Sequence, residues 1–207
     1  MEDKAKVEIK GLKKVYKGEN PVTAIEDISF NVEEGDFVSI VGPSGCGKST
    51  LLKIVAGILE KTEGNVKIDG RDVKGPTREC GMVFQKPVLF EWRTNIENVL
   101  LPCEIHKENL EKKREEAISL LELVGLEDFM EQRPSELSGG MQQRVSICRS
   151  LIMDPEVLLM DEPFGALDYF TREQMNLELL RIWRKTKKSI LFVTHNIEEA
   201  VFLGDKV

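Results

Sequence analysis

The chain has 207 residues, 41% apolar and 31% charged, with a formal net charge of −7. That length buries a full core in one domain, or in one domain with an inserted lobe. The acidic balance argues against nucleic acid as the main partner, because phosphate-backbone binders carry a basic footprint. No apolar run approaches the roughly 18 to 20 residues that a membrane span needs. The N-terminal MEDKAKVEIK has no signal-peptide core, so any membrane association would be peripheral. Cys46, Cys80, Cys103 and Cys148 are widely separated, without the spacing of a zinc site or a disulfide framework, which predicts reduced thiols.

The first third reads as strands. Val7 and Ile9 alternate with charged residues; Ile28, Phe30 and Val32 alternate with Ser29 and Asn31; Val66 and Ile68 alternate with Asn65, Lys67 and Asp69. Such alternation marks sheets with one wet face, usually antiparallel. Tyr16, in LKKVYKGEN, is either an ordinary sheet aromatic or a ring placed to stack on a nucleobase.

Phe37–Val41 is a short apolar, β-prone run, and it feeds GPSGCGKST, which comprises Gly42, Pro43, Ser44, Gly45, Cys46, Gly47, Lys48, Ser49 and Thr50. This fits G-x-x-x-x-G-K-[ST], a turn whose backbone N–H groups wrap phosphate oxygens. Glycines permit the close approach and positive φ, Lys48 reaches the outer phosphates as a point charge, and Ser49 places a hydroxyl on Mg²⁺. Leu51, Leu52, Val55, Ile58 and Leu59 then recur at helical spacing, so the loop opens a helix whose dipole favours anions. A thiol modification at Cys46 would obstruct nucleotide there. The loop alone leaves kinases, GTPases and ATPases open.

Gly81–Phe84 reads as another strand, ending at Gln85. The next stretch, KPVLFEWRTNIENVLLP, mixes prolines, aromatics and charges, as irregular surface segments that meet partners do. From about Glu108 the pattern is helical, with a Glu108–Lys112 pair and Ile118, Leu121 and Val124 on one face. His106 reads as an exposed histidine with no assigned chemistry.

LSGGMQQR, Leu137 to Arg144, places Ser138 as N-cap before Met141, Val145, Cys148 and Ile152 at helical spacing. Gly139 and Gly140 weaken a helix by about 1 kcal/mol each relative to alanine. Bare N–H groups offered to a second anion would justify them.

Val157–Met160 is an unbroken apolar run, as in a parallel strand buried on both faces, and it ends in Asp161-Glu162. Adjacent carboxylates there are costly unless something binds them. Asp161 suits Mg²⁺, and Glu162 suits the proton of an attacking water. A helix follows, with Thr171 and Gln174 in capping-box spacing and Trp183 read as core. Ile190–Val193 is a last buried strand, leading to His195. Three strands thus end in Gly42, Asp161 and His195, and in open α/β sheets ligands bind at those carboxyl ends.

With these residues together, the chain resembles the ATP-binding subunits of ABC transporters over nearly its whole length, LSGGMQQR being the most diagnostic stretch. The resemblance implies an α/β fold: a P-loop NTPase (RecA-like) core with an N-terminal antiparallel β subdomain and an inserted α-helical subdomain. One domain would span residues 1–207, with about 1–90 and 155–207 forming the core and about 91–154 the insert. It implies ATP and Mg²⁺ as cofactors. Tyr16 is then the adenine-stacking aromatic, Gln85 the residue sensing Mg²⁺ and water, Glu162 the catalytic base and His195 the γ-phosphate switch. Asp168, in GALD, is the subunit-crossing aspartate.

The same resemblance implies a head-to-tail dimer in which Ser138 and Gly140 of one chain close over ATP held by Lys48 of the other. A membrane subunit would dock near Phe84–Thr94 at the cytoplasmic face, a solute-binding protein would act indirectly, and no nucleic acid would take part. DEPFGALD and LSGGMQQR are most similar to the nitrate, sulfonate and taurine importer group, with Glu91 standing where that group usually has proline. Relatives usually continue past the region of Val207 with a further strand and tail. The rival reading is a soluble, non-transport ABC ATPase acting on nucleic acid or ribosomes. A small-molecule kinase would leave LSGGMQQR and His195 unexplained.

Overall fold

The computed structural model describes residues 5–207, so the first four residues of the N-terminal stretch read for a signal core lie outside the described residues. The described residues fall into two compact units. The first runs to Met82 and adds Glu156–Asp161 and Lys188–Val207; the second comprises Val83–Pro155 and Glu162–Lys187.

The first unit holds an antiparallel sheet in the order β2-β1-β4-β5, from β1 (Val7–Tyr16), β2 (Val22–Val32), β4 (Glu63–Ile68) and β5 (Arg71–Asp72). Val7 faces Val32 on one side and Ile68 on the other. Both long strands extend well past the alternation visible in sequence. Register shifts between Ile9 and Leu12, and again before Val15, break the period of two across the lysine-rich middle of β1.

The second sheet has the order β3-β8-β7-β6, from β3 (Phe37–Val41), β6 (Cys80–Val83), β7 (Val157–Asp161) and β8 (Ser189–Thr194). β8 lies parallel between β3 and β7, with Val41 opposite Thr194 and Asp161 opposite Val193. All six residues of β8 are buried, which is why the strand reads as unbroken apolar sequence. Helix α1 (Lys48–Val55) buries Leu51, Leu52, Ile54 and Val55 in the same core as Val7, Ile9, Leu159 and Leu191. It stops earlier than the spacing through Leu59 predicts. Gly57, at φ +71°, turns the chain out of the helix and leaves Ile58 54% exposed. A short helix absent from the sequence reading, α6 (Ile197–Leu203), follows β8 with Asn196 as its cap.

The second unit is helical, with α2 (Asn95–Ile105), α3 (Leu110–Leu123), α4 (Gly139–Leu151) and α5 (Tyr169–Thr186). Its core takes Ile96, Val99, Cys103, Ala117, Leu121, Val145, Cys148 and Leu179. Four expectations are corrected here. The second half of KPVLFEWRTNIENVLLP is helix, not irregular surface, with Thr94 and Glu97 forming a reciprocal capping box. Glu108 lies outside α3, which Asn109 caps, so it begins no helical i, i+4 pair, and its carboxylate lies 3.9 Å from Lys113. The cap of α5 is Asp168, not Thr171, which occupies the third helical position. Trp183 is half-buried, since its neighbours Leu179 and Ile182 take the inward positions.

Candidate functional site

Six α-helices are described, and five of them begin with a side-chain cap: Thr94, Asn109, Ser138, Asp168 and Asn196. Helix α1 begins at Gly47 with no side-chain cap and no acidic residue in its first turn. Its orphan N–H groups are therefore available to an external anion, and the glycine-rich loop lies directly before them. Gly47 has φ +101°, and a Cβ there would lie 2.3 Å from the Ala24 carbonyl oxygen, so both conformation and space require glycine. Gly45 also has positive φ, whereas Gly42 does not.

Lys48 is buried, and its ammonium donates to the carbonyls of Gly42 at 2.7 Å and Pro43 at 2.9 Å. It is thus folded into the loop's mouth. Ser49 Oγ donates to Asp161 Oδ1 at 2.7 Å, which joins the first turn of α1 to the end of β7. These two oxygens suit a hard cation. Among the described residues no group of three or more His, Cys, Asp and Glu could hold a metal, so phosphate or water oxygens would have to complete any such shell. Pro43, Ser44, Gly45 and Cys46 are exposed at the loop surface.

Tyr16 ends β1, 42% exposed, with its hydroxyl 3.3 Å from that of Thr50 and the Lys14 ammonium 5.2 Å from its ring centroid. The ring therefore lies beside the phosphate loop, which spacing alone left undecided. His195 is exposed immediately after Thr194, which pairs with Val41, so parallel register brings His195 and Gly42 to adjacent strand ends.

In the second unit, Gln85 Nε2 and Glu162 Oε2 lie 3.2 and 3.5 Å from the point where a Gly165 Cβ would stand. These two predicted residues are therefore neighbours, and glycine leaves the room between them. Glu162 also has φ +46°, a region non-glycine residues seldom adopt. No sequence signal announces that strain. Asp168 is exposed; the Thr171 hydroxyl at 2.6 Å and backbone N–H at 3.1 Å hold its carboxyl below the usual carboxylate range.

Ser138 caps α4 by accepting from Met141 N at 3.3 Å, and both Ser138 and Gly139 are exposed. Gly140 has a reason that sequence reasoning missed: a Cβ there would stand 3.0 Å from Thr171 Cγ2 on α5. Gly139 has only an ordinary 3.5 Å neighbour, so the open N–H reading remains its best account. Also unread from sequence were Asn98, Gln143 and Arg149, buried or half-buried polar groups bonded to the backbone of residues 84–94. Their partners lie up to 62 residues away, and no motif marks them.

A family model described as ABC transporter matches residues 25–165. An uncharacterized ABC transporter ATP-binding protein of Methanocaldococcus jannaschii is 47% identical over 99% of this chain and 77% of its own length. The taurine import ATP-binding protein TauB of Jannaschia sp. is 48% identical over 90% of this chain and 69% of its own. The aliphatic sulfonates import ATP-binding protein SsuB of Bacillus cereus is 45% identical over 97% and 79% respectively. Among solved structures, a dimeric ATP-binding cassette in a post-hydrolysis state bound to ADP and Pi superposes with a TM-score of 0.83 at 38% identity, covering 96% of this chain and 91% of that one.

Proposed function

The chain belongs to the ABC transporter family, and from that premise we propose that it is the ATP-binding, ATP-hydrolysing subunit of an importer. Two copies would close head to tail on two ATP molecules and drive a separate membrane subunit. No described helix is long and apolar enough to cross a membrane. As an ATP-binding subunit the chain would act from the cytoplasmic face, docked on the membrane subunit through residues 84–94. The relatives' names favour an importer over an ATPase of nucleic acid or ribosomes, and support taurine or another small sulfonate as its cargo; a solute-binding protein would deliver that cargo to the membrane subunit.

The observation that carries this reading is the uncapped N-terminus of α1 behind GPSGCGK, with Lys48 in its mouth. Triphosphate oxygens would take the place of a side-chain cap, and Tyr16 would meet the adenine. Ser49, Asp161 and Gln85 would hold Mg²⁺, which when bound neutralises charge on the transferring phosphoryl group. Glu162 accepts the proton of the attacking water, Lys48 stabilises the developing negative charge, and His195 contacts the γ-phosphate. Ser138, Gly139 and Gly140 of the second copy would bring the remaining N–H groups of the first turn of α4 over the same nucleotide, with Asp168 crossing between the copies.

Glu162→Gln tests this directly. It removes a base while keeping the side chain's shape, so turnover should fall roughly 10² to 10⁴-fold. ATP binding should persist, and the variant should elute as a dimer with MgATP and a monomer without it. A folded variant that stays monomeric at high concentration with bound ATP would sink the reading.

A further inference from the structure

The segment between Phe84 and Thr94 is irregular, yet side chains of two helices hold it along its length. From α4, Gln143 Nε2 donates to the Phe84 carbonyl at 3.0 Å. Arg149 donates through Nη2 to the Pro87 carbonyl at 2.7 Å and through Nη1 to the Val88 carbonyl at 2.8 Å. From α2, Asn98 accepts from Phe90 N at 2.7 Å and donates to the carbonyls of Phe90 and Thr94 at 3.1 and 3.0 Å. Gln143 is 1% exposed and Asn98 is fully buried.

Arg149 is the unusual member of this set. Its guanidinium has no carboxylate partner among the described residues; burial pushes its pKa down, and two loop carbonyls take its hydrogen bonds. One of those carbonyls belongs to Val88, which has φ +49°. A β-branched residue in that region is strained, and Val88 is 61% exposed, so its own side chain supplies little packing to hold it there. The loop's shape at Val88 therefore depends on the clasp from α4. Beyond it, Trp92 is 71% exposed and stacks on Phe90 at 4.8 Å, which makes the far half of the segment the presented surface.

We propose that Arg149, aided by Gln143, is a positioning residue that ties the segment Phe84–Val88 to α4. Nucleotide closing on Ser138 and Gly140 at the head of that helix then sets the position of the segment that meets the membrane subunit. This rests on the dimer and docking roles proposed above. It adds a physical link inside one unit: the two carbonyls held by one planar guanidinium follow the helix, because its fork geometry fixes both at once.

The test is hydrogen exchange on the full chain carrying Glu162→Gln, with and without MgATP. In that parent, nucleotide should slow exchange in peptides covering residues 139–145 and also in those covering 88–94. Arg149→Met keeps the volume and removes the donors; it should keep the first protection and lose the second. Adding Val88→Gly to Arg149→Met should return part of the lost protection, since glycine takes positive φ without strain; a variant that merely loosened α4 would show no such return. Should Arg149→Met fail to fold, Gln143→Leu reads the same peptides with a partial loss expected. Full protection at 88–94 in folded Arg149→Met overturns the proposal, as does loss at both sites with an unchanged melting curve. Absence of protection at 139–145 in the parent itself would instead strike the dimer reading, and this inference with it.

Discussion

Lys48, Ser49 and Asp161 in the first unit, and Asn98, Gln143 and Arg149 in the second, are all polar groups held away from bulk water, but they are closed on different things. The first set meet one another or the carbonyls of their own loop, at the mouth of an uncapped helix. Ligand oxygens can replace the acceptors that Lys48 and Ser49 use, and a cation can replace the hydroxyl from which Asp161 accepts. The second set are closed on carbonyls of an irregular segment that has no ladder of its own to satisfy them. Exchanging those partners would undo the segment. Under the proposed function, the difference separates groups arranged for a guest from groups arranged for shape. It predicts that substitutions in the first set change chemistry with little effect on stability, and that substitutions in the second do the reverse.

Lys48→Met is the sharpest test of the first half. It keeps the stem and deletes the charge, so hydrolysis should fall roughly 10² to 10³-fold, the usual worth of one preorganised group facing developing charge. The lost carbonyl contacts are local, so the melting temperature should move by only a few degrees. A large drop in melting temperature would mean that Lys48 holds the loop together, and the contrast would fail on that side.

This division also explains what could be read without coordinates. GPSGCGKST, Asp161-Glu162 and His195 stood out in the sequence because the phosphate-loop pattern asks for particular residue types at fixed spacing, and because buried parallel strands leave unbroken apolar runs before each of them. The placement of Tyr16 beside Thr50 was not, since register shifts hide how far β1 runs. Nor was the strain at Glu162, which depends on a backbone angle and not on composition. In the helical unit the caps at Ser138 and Asn109 are local and one was read. The clasp of Arg149 on Pro87 and Val88 spans about sixty residues and leaves only an ordinary helical arginine in the sequence.

Gly140 offers a test of intermediate size. Alanine is favoured over glycine within a helix by about 1 kcal/mol, yet here its Cβ would meet Thr171 Cγ2 at 3.0 Å. That methyl has little freedom to yield, because the Thr171 hydroxyl is bonded to Asp168 at 2.6 Å, which fixes its rotamer. Gly140→Ala should therefore destabilise the chain by about 1 to 2 kcal/mol, as small overpackings do. Thr171→Ser removes the methyl and keeps the hydroxyl, so the double variant should recover most of the loss in urea unfolding. Gly139→Ala, with only an ordinary contact, should cost nothing in stability. Equal stability of the two alanine variants would show that packing against α5 is not the reason for Gly140.

The smallest effect belongs to Thr94, where the irregular segment becomes α2. Its side chain accepts from Glu97 N at 3.3 Å while Glu97 Oε2 accepts from Thr94 N at 2.8 Å, so two orphan donors are satisfied together. Thr94→Ala removes one half of that exchange and should cost about 1 kcal/mol. In a chain of this length that lowers the melting temperature by roughly 2 to 4 °C. Thr94→Ser keeps the acceptor and should restore most of the difference. Neither variant touches the phosphate loop, so ATP affinity and the turnover of the isolated chain should match the parent. Turnover falling tenfold in Thr94→Ala at unchanged ATP affinity would mean that the end of the docking segment takes part in hydrolysis itself, and the line between groups for a guest and groups for shape would have to be moved.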